Sequence, residues 1–295
     1  MGDELDKLVL MDGNNLAHIV FHSAQNLARR QKIEESQRLD FLEKMTYHMF
    51  FNKFFSLVKK FKDNRIFITW DSKNSTAWRR TQDSNYKSNR VASDDVKQSL
   101  FKAIDNLREI IPSLPVYQYY QDGFEADDII YYVASKMENV EMIIVSNDQD
   151  LQQIAQRFNA TIWDPKKNVD VEVPSDYDIT VKKALVGDSS DNIPGVKGIG
   201  EKGGTKIARE LYGKNITRDS VLPFVKNESD ADVFALYLSM VDISLNPNLE
   251  KIDINLNMLF NEKSMNEENI LNFYKKYSMK SQIGSWSKNK KALMG

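Results

Sequence analysis

Four apolar runs in this chain lead directly into carboxylates, and that repetition limits the fold more than any other feature. KLVLMD closes on Asp12, NRIFITWD on Asp71, and EMIIVSNDQD on Asp148 and Asp150. PVYQYYQDGF leads into EADDII, where Glu125, Asp127 and Asp128 crowd together just before the apolar Ile129 and Ile130. Each run reads as a short strand, the first ending in a Gly-Asn turn. The stretches between them read as helices. In residues 39–62, Leu42, Met45, Met49, Phe50, Phe54, Leu57, Val58 and Phe61 recur at helical spacing. These phenylalanines are core packing rather than a stacking site. Residues 93–111 follow a Ser-Asp-Asp cap and stop before Pro112, 126–137 form another helix, and 161–173 suggest a short hairpin.

Strands alternating with helices predict an α/β fold: a mostly parallel central sheet with helices on both faces. Ligands of such folds bind outside the carboxyl ends of the strands. The acids therefore should converge on one edge. From about residue 178 the pattern changes to helices, glycines and basic residues. The expected division is a domain over 1–180 and a helical region over 181–295.

Two more acids, Asp188 and Asp191, lie in VGDSSDNIPG. Nine carboxylates in one cleft would repel: each pair ~4 Å apart costs about 1 kcal/mol in water and about 4 at an effective dielectric near 20. Such a cluster binds cations or takes up protons. Acids in a first helical turn also favour the helix dipole. That local account explains one cluster, but not four acidic strand ends together. All-oxygen ligands select Mg²⁺ or Mn²⁺ over zinc, and two such ions about 3.5–4 Å apart suit phosphodiester hydrolysis.

GDSSDNIPGVKGIGEKGGTKIARELYG (187–213) reads as helix, tight glycine hairpin, helix. Gly198 and Gly200 would let backbone N–H groups approach a phosphate. Lys197, Lys202, Lys206 and Arg209 would add charge. WRRTQDSNYKSNR (78–90) interleaves Arg79, Arg80, Lys87 and Arg90 with Trp78 and Tyr86, a mixture suited to single strands. Further basic stretches are KKFKDNR (59–65) and KKNK (288–291), on a chain whose 40 basic and 42 acidic residues nearly balance. Cysteine is absent, which excludes disulfides and thiolate metal sites, and three histidines are too few to favour a histidine-built zinc centre. No run of about eighteen apolar residues offers a membrane span, and no secretory signal is visible. The expected setting is cytoplasmic.

GFEADD, VSNDQD, GDSSDNIPGVKGIGEKGG and YKSNR, in this order, resemble the motifs of the flap-endonuclease and 5′-nuclease superfamily. The similarity runs from about residue 7 to 213. WRR…YKSNR and NILNFYKKYSM (269–279) also resemble the ribonuclease H of T-even phages, whereas the intact GVKGIG hairpin is similar to T-odd phage flap endonucleases. With no polymerase segment following, a stand-alone phage-type enzyme in the host cytoplasm is expected. The resemblance implies a PIN-like 5′-nuclease fold with a helix-hairpin-helix at about 184–212 and a helical arch at about 79–111. It implies a 5′-3′ exonuclease and flap endonuclease that removes RNA primers in DNA replication. Asp12, Asp71, Glu125, Asp127, Asp128 and Asp148 would surround a first Mg²⁺; Asp150, Asp188 and Asp191 would serve a second, with Asp148 shared. Lys87 and Arg90 would face the scissile phosphate, Tyr86 would stack on a base, and Arg79 and Arg80 would contact DNA. The hairpin would grip duplex DNA, in this family often with bound K⁺. Substrates would be 5′ flaps or RNA–DNA hybrids, a partner would be single-stranded-DNA-binding protein, and the chain would act as a monomer. Two other classes stand beside this reading. A PIN-like single-strand ribonuclease would ignore duplex junctions, and a non-catalytic junction-binding protein would bind without turnover.

Overall fold

The computed structural model of the chain describes residues 7–62, 64–88, 95–137 and 139–294. Its sheet contains β1 (Lys7–Asp12), β2 (Arg65–Thr69), β3 (Tyr117–Tyr119), β4 (Glu141–Val145), β5 (Ala160–Asp164) and β6 (Val169–Val171). The spatial order is β3-β2-β1-β4-β5-β6. All neighbours are parallel except β6, which turns back on β5. β1 is thus flanked by the strands that follow it on either side, the arrangement that opens a crevice at the carboxyl edge. Asp12 lies opposite Thr69 and Met11 opposite Val145. Asp71 and the segment Ser146–Asp148 therefore emerge on either side of Asp12.

The helices are α1 (Gly13–Arg30), α2 (Glu35–Lys60), α3 (Ala77–Gln82), α4 (Asp95–Ile110), α5 (Ala126–Lys136), α6 (Gln152–Arg157), α7 (Ile179–Val186), α8 (Glu201–Leu211), α9 (Glu228–Val241), α10 (Glu267–Lys276) and α11 (Lys280–Met294). Strand alternation sorts the two faces. Val9 and Met11 pack with α1, α2 and α4, while Leu8 and Leu10 pack with α5 and α6. The expected sheet with helices on both faces is what the chain forms. Among the described residues, no helix is long and apolar enough to cross a membrane.

Two local expectations are corrected. Gly13 and Asn14 do not form a turn after β1: they open α1, with Asp12 as its N-cap. Gly13 packs so closely on Trp70 that a Cβ would lie 2.6 Å from the indole ring. The strand expected over 115–124 shortens to Tyr117–Tyr119, because Gly123 (φ +85°) turns the chain before α5.

The hydrophobic clusters do not follow the division at 180/181. Residues of α7, α8 and α9 form a cluster of their own. Beyond α9 the chain returns to the sheet. Ile243, Leu249, Ile252 and Leu259 join the α5 face, and Ile270, Tyr274 and Trp286 join the α2 face. Tyr274 meets Phe51 edge-on at 5.1 Å. The apolar stripe of α2 is broader than α1 and α4 can cover, and α10 and α11 bury the remainder.

Candidate active site

Each acid at the carboxyl edge is aimed by a local hydrogen bond. Asp12 caps α1, its Oδ1 accepting from the Asn15 N–H at 2.9 Å. Asp71 is held from two sides: Asn14 Nδ2 donates to Oδ2 at 2.9 Å, and the Ala126 N–H donates to Oδ1 at 2.8 Å. Asp148 caps the short 3₁₀ turn that follows β4 by accepting from the Asp150 N–H at 2.9 Å, while its own N–H donates to Ser146 Oγ. Ser146 Oγ also reaches Asp12 Oδ2 at 3.4 Å. Glu125 is the N-cap of α5 and Asp127 sits in its first turn.

These placements bring Asp12, Asp71, Glu125, Asp127, Asp148, Asp150 and Asp191 around one cleft of about 350 Å³, with Lys87 beside them. Asp150, Asp188 and Asp191 form a subset whose oxygens lie within 4.8 Å of one another. Crowding shows in the proton affinities. Burial, reinforced by the charges of Asp71 and Asp148, pushes Asp12 up to about 8. Burial and Asp150 push Asp148 up to about 6. Asp127 is raised well above the usual carboxylate range by burial and by Asp128. Carboxylates that hold protons near neutrality are poised to exchange them for cations. The carboxylates outnumber the one nitrogen ligand in the lining, His18, so the donor set fits hard divalent ions.

The neighbouring subset is compensated differently. The Lys183 ammonium on α7 bridges Asp150 and Asp188, lying 2.5 Å from Asp188 Oδ2. Against the cost of burial, Lys183 holds Asp188 below its usual pKa. Asp188 also lines a neighbouring pocket with Lys183, while one of its oxygens stays within 4.8 Å of those of Asp150 and Asp191.

Three residues expected at the ligand turn inward. Asp128 is fully buried: Arg79 Nη2 pairs with its Oδ1 at 3.0 Å, and the Glu125 N–H donates to its Oδ2 at 3.1 Å. It closes the capping box of α5 and is not part of the cleft lining. Arg79 is 3% exposed, paired with Glu125 at 2.7 Å as well as with Asp128, and its Nε donates to the Met240 carbonyl. It is therefore not presented to DNA. Tyr86 is 2% exposed and packs in the cluster of α7–α9, so its ring offers no face to a base. Its hydroxyl donates to Asp191 Oδ2 at 3.1 Å.

Lys87, with φ +52°, does point into the cleft, 2.5 Å from Glu125 Oε1 and 4.0 Å from Asp191 Oδ2. Burial opposes its charge, but Glu125 raises its pKa well above the usual value. Arg80 is exposed on α3. Arg90 lies outside the described residues. Residues that the motif reading omitted also line the cleft: Asn14, Asn15, His18 and Ser190. The GNN that follows Asp12 is the signal that could have found the first two, since it opens the helix at the crevice.

Beside the cleft, α7 and α8 form the expected helix-hairpin-helix. Val196 N–H donates to the Leu185 carbonyl and Ile199 N–H to the Val196 carbonyl. Gly195 (φ +76°) is obligatory here, as a Cβ would meet Val186 backbone at 2.4 Å. Lys197, Gly198, Gly200, Lys202 and Lys206 are all exposed along its outer side. Arg209 instead pairs with Asp176 at 2.6 Å.

The family model for the 5′-3′ exonuclease N-terminal, resolvase-like domain matches residues 7–183, more than half of the chain. The chain belongs to the 5′-3′ exonuclease family. One relative in that family, the 5′-3′ exonuclease of Mycoplasmopsis pulmonis, is 30% identical over 229 residues, covering 75% of this chain and 72% of the relative. The 5′-3′ exonuclease of Halalkalibacterium halodurans is 27% identical over 218 residues, 70% of each chain. DNA polymerase I of Bacillus subtilis is 29% identical over 221 residues, but the chain spans only 24% of that longer protein. Among solved structures, a phage T5 protein co-crystallised with metal ions superposes with a TM-score of 0.59 at 19% identity, over 80% of this chain and 89% of that one. A phage T5 flap endonuclease in complex with DNA and metal ions gives 0.54 at 16% identity, over 86% and 96%. At these identities the superpositions speak to the fold. It is the PIN-like 5′-nuclease fold, with a helical C-terminal region appended.

Proposed function

We propose that this 5′-3′ exonuclease-family chain is a Mg²⁺-dependent, structure-specific 5′ nuclease that hydrolyses phosphodiesters at 5′ flaps and RNA–DNA hybrids. One observation carries the reading: seven carboxylates from five separate segments surround a single cleft, with the largely buried Lys87 ammonium among them. Asp12, Asp71, Glu125, Asp127 and Asp148 would hold one divalent ion, and Asp150, Asp188 and Asp191 a second, with Mn²⁺ as substitute. Bound there, such ions supply Lewis acidity toward the water nucleophile and the phosphoryl oxygens.

The chain's own residues do the rest. Ser146, Asn14 and Asn15 keep the acids in place, so little reorganisation is needed when substrate arrives. Lys87 contributes positive charge next to the scissile phosphate. Lys197, Lys202 and Lys206, with the N–H groups around Gly198 and Gly200, contact the duplex backbone without reading sequence, and K⁺ would bind at that hairpin. Of the arch expected at about 79–111, residues 89–94 lie outside the described residues, and α4 packs Leu100, Ala103, Ile104 and Leu107 into the cluster with α2. The protein would act as a monomer in the cytoplasm, with single-stranded-DNA-binding protein as a partner.

The test is cleavage of a 5′-labelled flap with Mg²⁺ and with chelator. Discrete products at the junction, lost with chelator and with Asp148→Ala, are expected. A ladder of random cuts, cleavage confined to unpaired RNA, or no cleavage with either Mg²⁺ or Mn²⁺ would refute the reading.

A further inference from the structure

Two basic stretches distant in the chain, 59–65 and 288–291, meet in the fold. α11 runs alongside α2. Gln282 Nε2 donates to Asn52 Oδ1 at 2.6 Å, the rings of Trp286 and Phe55 lie 6.3 Å apart, and Lys59 Nζ donates to Asn289 Oδ1 at 2.8 Å. These contacts advance together along both helices and set Lys288 beside Lys59. On the other flank of α2, Lys53 Nζ donates to Asn168 Oδ1 at 2.9 Å, and Lys60 Nζ lies 3.7 Å over the Trp163 ring. Both partners belong to the β5–β6 hairpin, whose turn exposes Lys166 and Lys167.

The result is a continuous cationic face: Lys288, Lys59, Lys60, Lys53, then Lys166 and Lys167. None of the six is within ion-pair distance of a carboxylate among the described residues. Some lysines elsewhere are paired, as in Lys7–Glu141, Lys44–Asp40 and Lys136–Glu250, while Lys197, Lys202 and Lys206 on the glycine hairpin form a second exposed group. Of the hairpin's two acids, Asp164 is buried and caps the turn, its Oδ1 accepting from the N–H groups of Lys166 and Lys167 while its charge favours the Lys53 ammonium, and Asp170 is exposed on β6. Burial and the proximity of Lys288 hold Lys59 below the usual lysine range. On a chain of net charge −2, six lysines without an ion pair beside two hairpin acids leave an excess of positive charge that favours a polyanion.

The rings beneath the row, Phe61 and Trp163, are buried, so they give bases no stacking platform. That favours a duplex backbone over a single strand. β5 runs parallel to β4, so the Lys166–Lys167 turn opens at the same sheet edge as the acid cleft. We infer that this face binds the backbone of a nucleic-acid duplex, as a contact surface separate from the glycine hairpin. On a junction, one duplex arm would lie on the hairpin and the other on this face. The inference rests on the 5′-nuclease reading and adds the placement of the second arm.

The experiment compares the wild type with the variant Lys60→Gln, Lys166→Gln, Lys167→Gln, Lys288→Gln. Binding to a flap junction with two duplex arms, and to a single-arm duplex, is measured by anisotropy in chelator over a range of salt. Each phosphate contact contributes about 0.9 to the slope of log affinity against log salt. The four substitutions should flatten that slope by roughly 3–4 and weaken two-arm binding by about tenfold or more at moderate salt. The preference for two arms over one should shrink. A Lys→Arg variant at the same four positions should bind like wild type, and both variants should keep the wild-type melting temperature. Unchanged slope and affinity in the glutamine variant would overturn the inference, including the case where the face captures an acidic protein instead. Equal loss in the arginine variant would overturn it too, since charge would then not be the cause. Failure of the wild type to cleave flaps would strike the function itself, which this comparison keeps separate.

Discussion

Replacing Arg79 by Met separates two roles for this residue, a DNA contact or an internal counter-ion. The guanidinium is 3% exposed and pairs with Glu125 at 2.7 Å and with Asp128 at 3.0 Å. Glu125 would keep a second cation, Lys87. Asp128 would keep only neutral partners, the Glu125 N–H and Asn246 Nδ2 at 3.1 Å each. Removing one partner of a buried pair costs about 3–5 kcal/mol. The lost hydrogen bond to the Met240 carbonyl adds about 1 kcal/mol. The expected destabilisation is therefore about 4–6 kcal/mol at pH 8, read as a fall in the urea midpoint on the order of 1 M or more. Arg79→Met with Asp128→Asn should recover most of the loss, because no uncompensated charge remains. A single variant with near-wild-type stability but weakened DNA binding would refute the reasoning and return Arg79 to the substrate.

Other outcomes follow from the same structure. Asp12 rises from 3.8 to about 8 on folding, so its protonated form stabilises the metal-free protein. That contribution is full below pH 3.8 and is lost as pH rises through 8, on the order of 5 kcal/mol at most. The melting temperature of metal-free protein should fall from pH 6 to pH 8, Mn²⁺ should reverse the fall, and calorimetry in two buffers near pH 7 should detect proton release on Mn²⁺ binding. An absence of proton release would contradict the raised affinity. Lys183→Met strands Asp150 and Asp188 together, so metal-free melting should drop by about 6–12 °C, for a loss near 3 kcal/mol, and Mn²⁺ should recover more of it than in wild type. Gly195→Ala forces a Cβ to within 2.4 Å of backbone at φ +76°; duplex affinity in chelator should fall while Asp150 and Asp191 still bind Mn²⁺.

Much of this molecule was legible along the chain, because strands of a parallel sheet announce themselves as apolar runs and a crevice at their ends needs polar side chains there. Asp12, Asp71, Asp148 and Asp150 were readable in that way, as was the glycine hairpin, where φ and close approach leave few alternatives to Gly195. Adjacent positions were harder. Asp127 and Asp128 sit about 100° apart on a helix, so only one of them can face the cleft. Asp127 does, and Asp128 joins Arg79 in the interior. Nothing in EADD distinguishes them, because the phase of α5 is decided by Ile129, Ile130 and Val133 packing on the sheet.

The amino-acid order by itself determined the α/β alternation, the edge at which the acids gather and the carboxylate-dominated chemistry of the cleft. The tertiary structure alone decided which charges neutralise one another inside, which leave the surface cationic, and that the C-terminal helices return to cover α2. The reason is range: strand and turn preferences act over a few residues, whereas the pairing of Arg79 with Asp128, Lys183 with Asp188 and Lys59 with Asn289 depends on packing between segments that no local pattern connects.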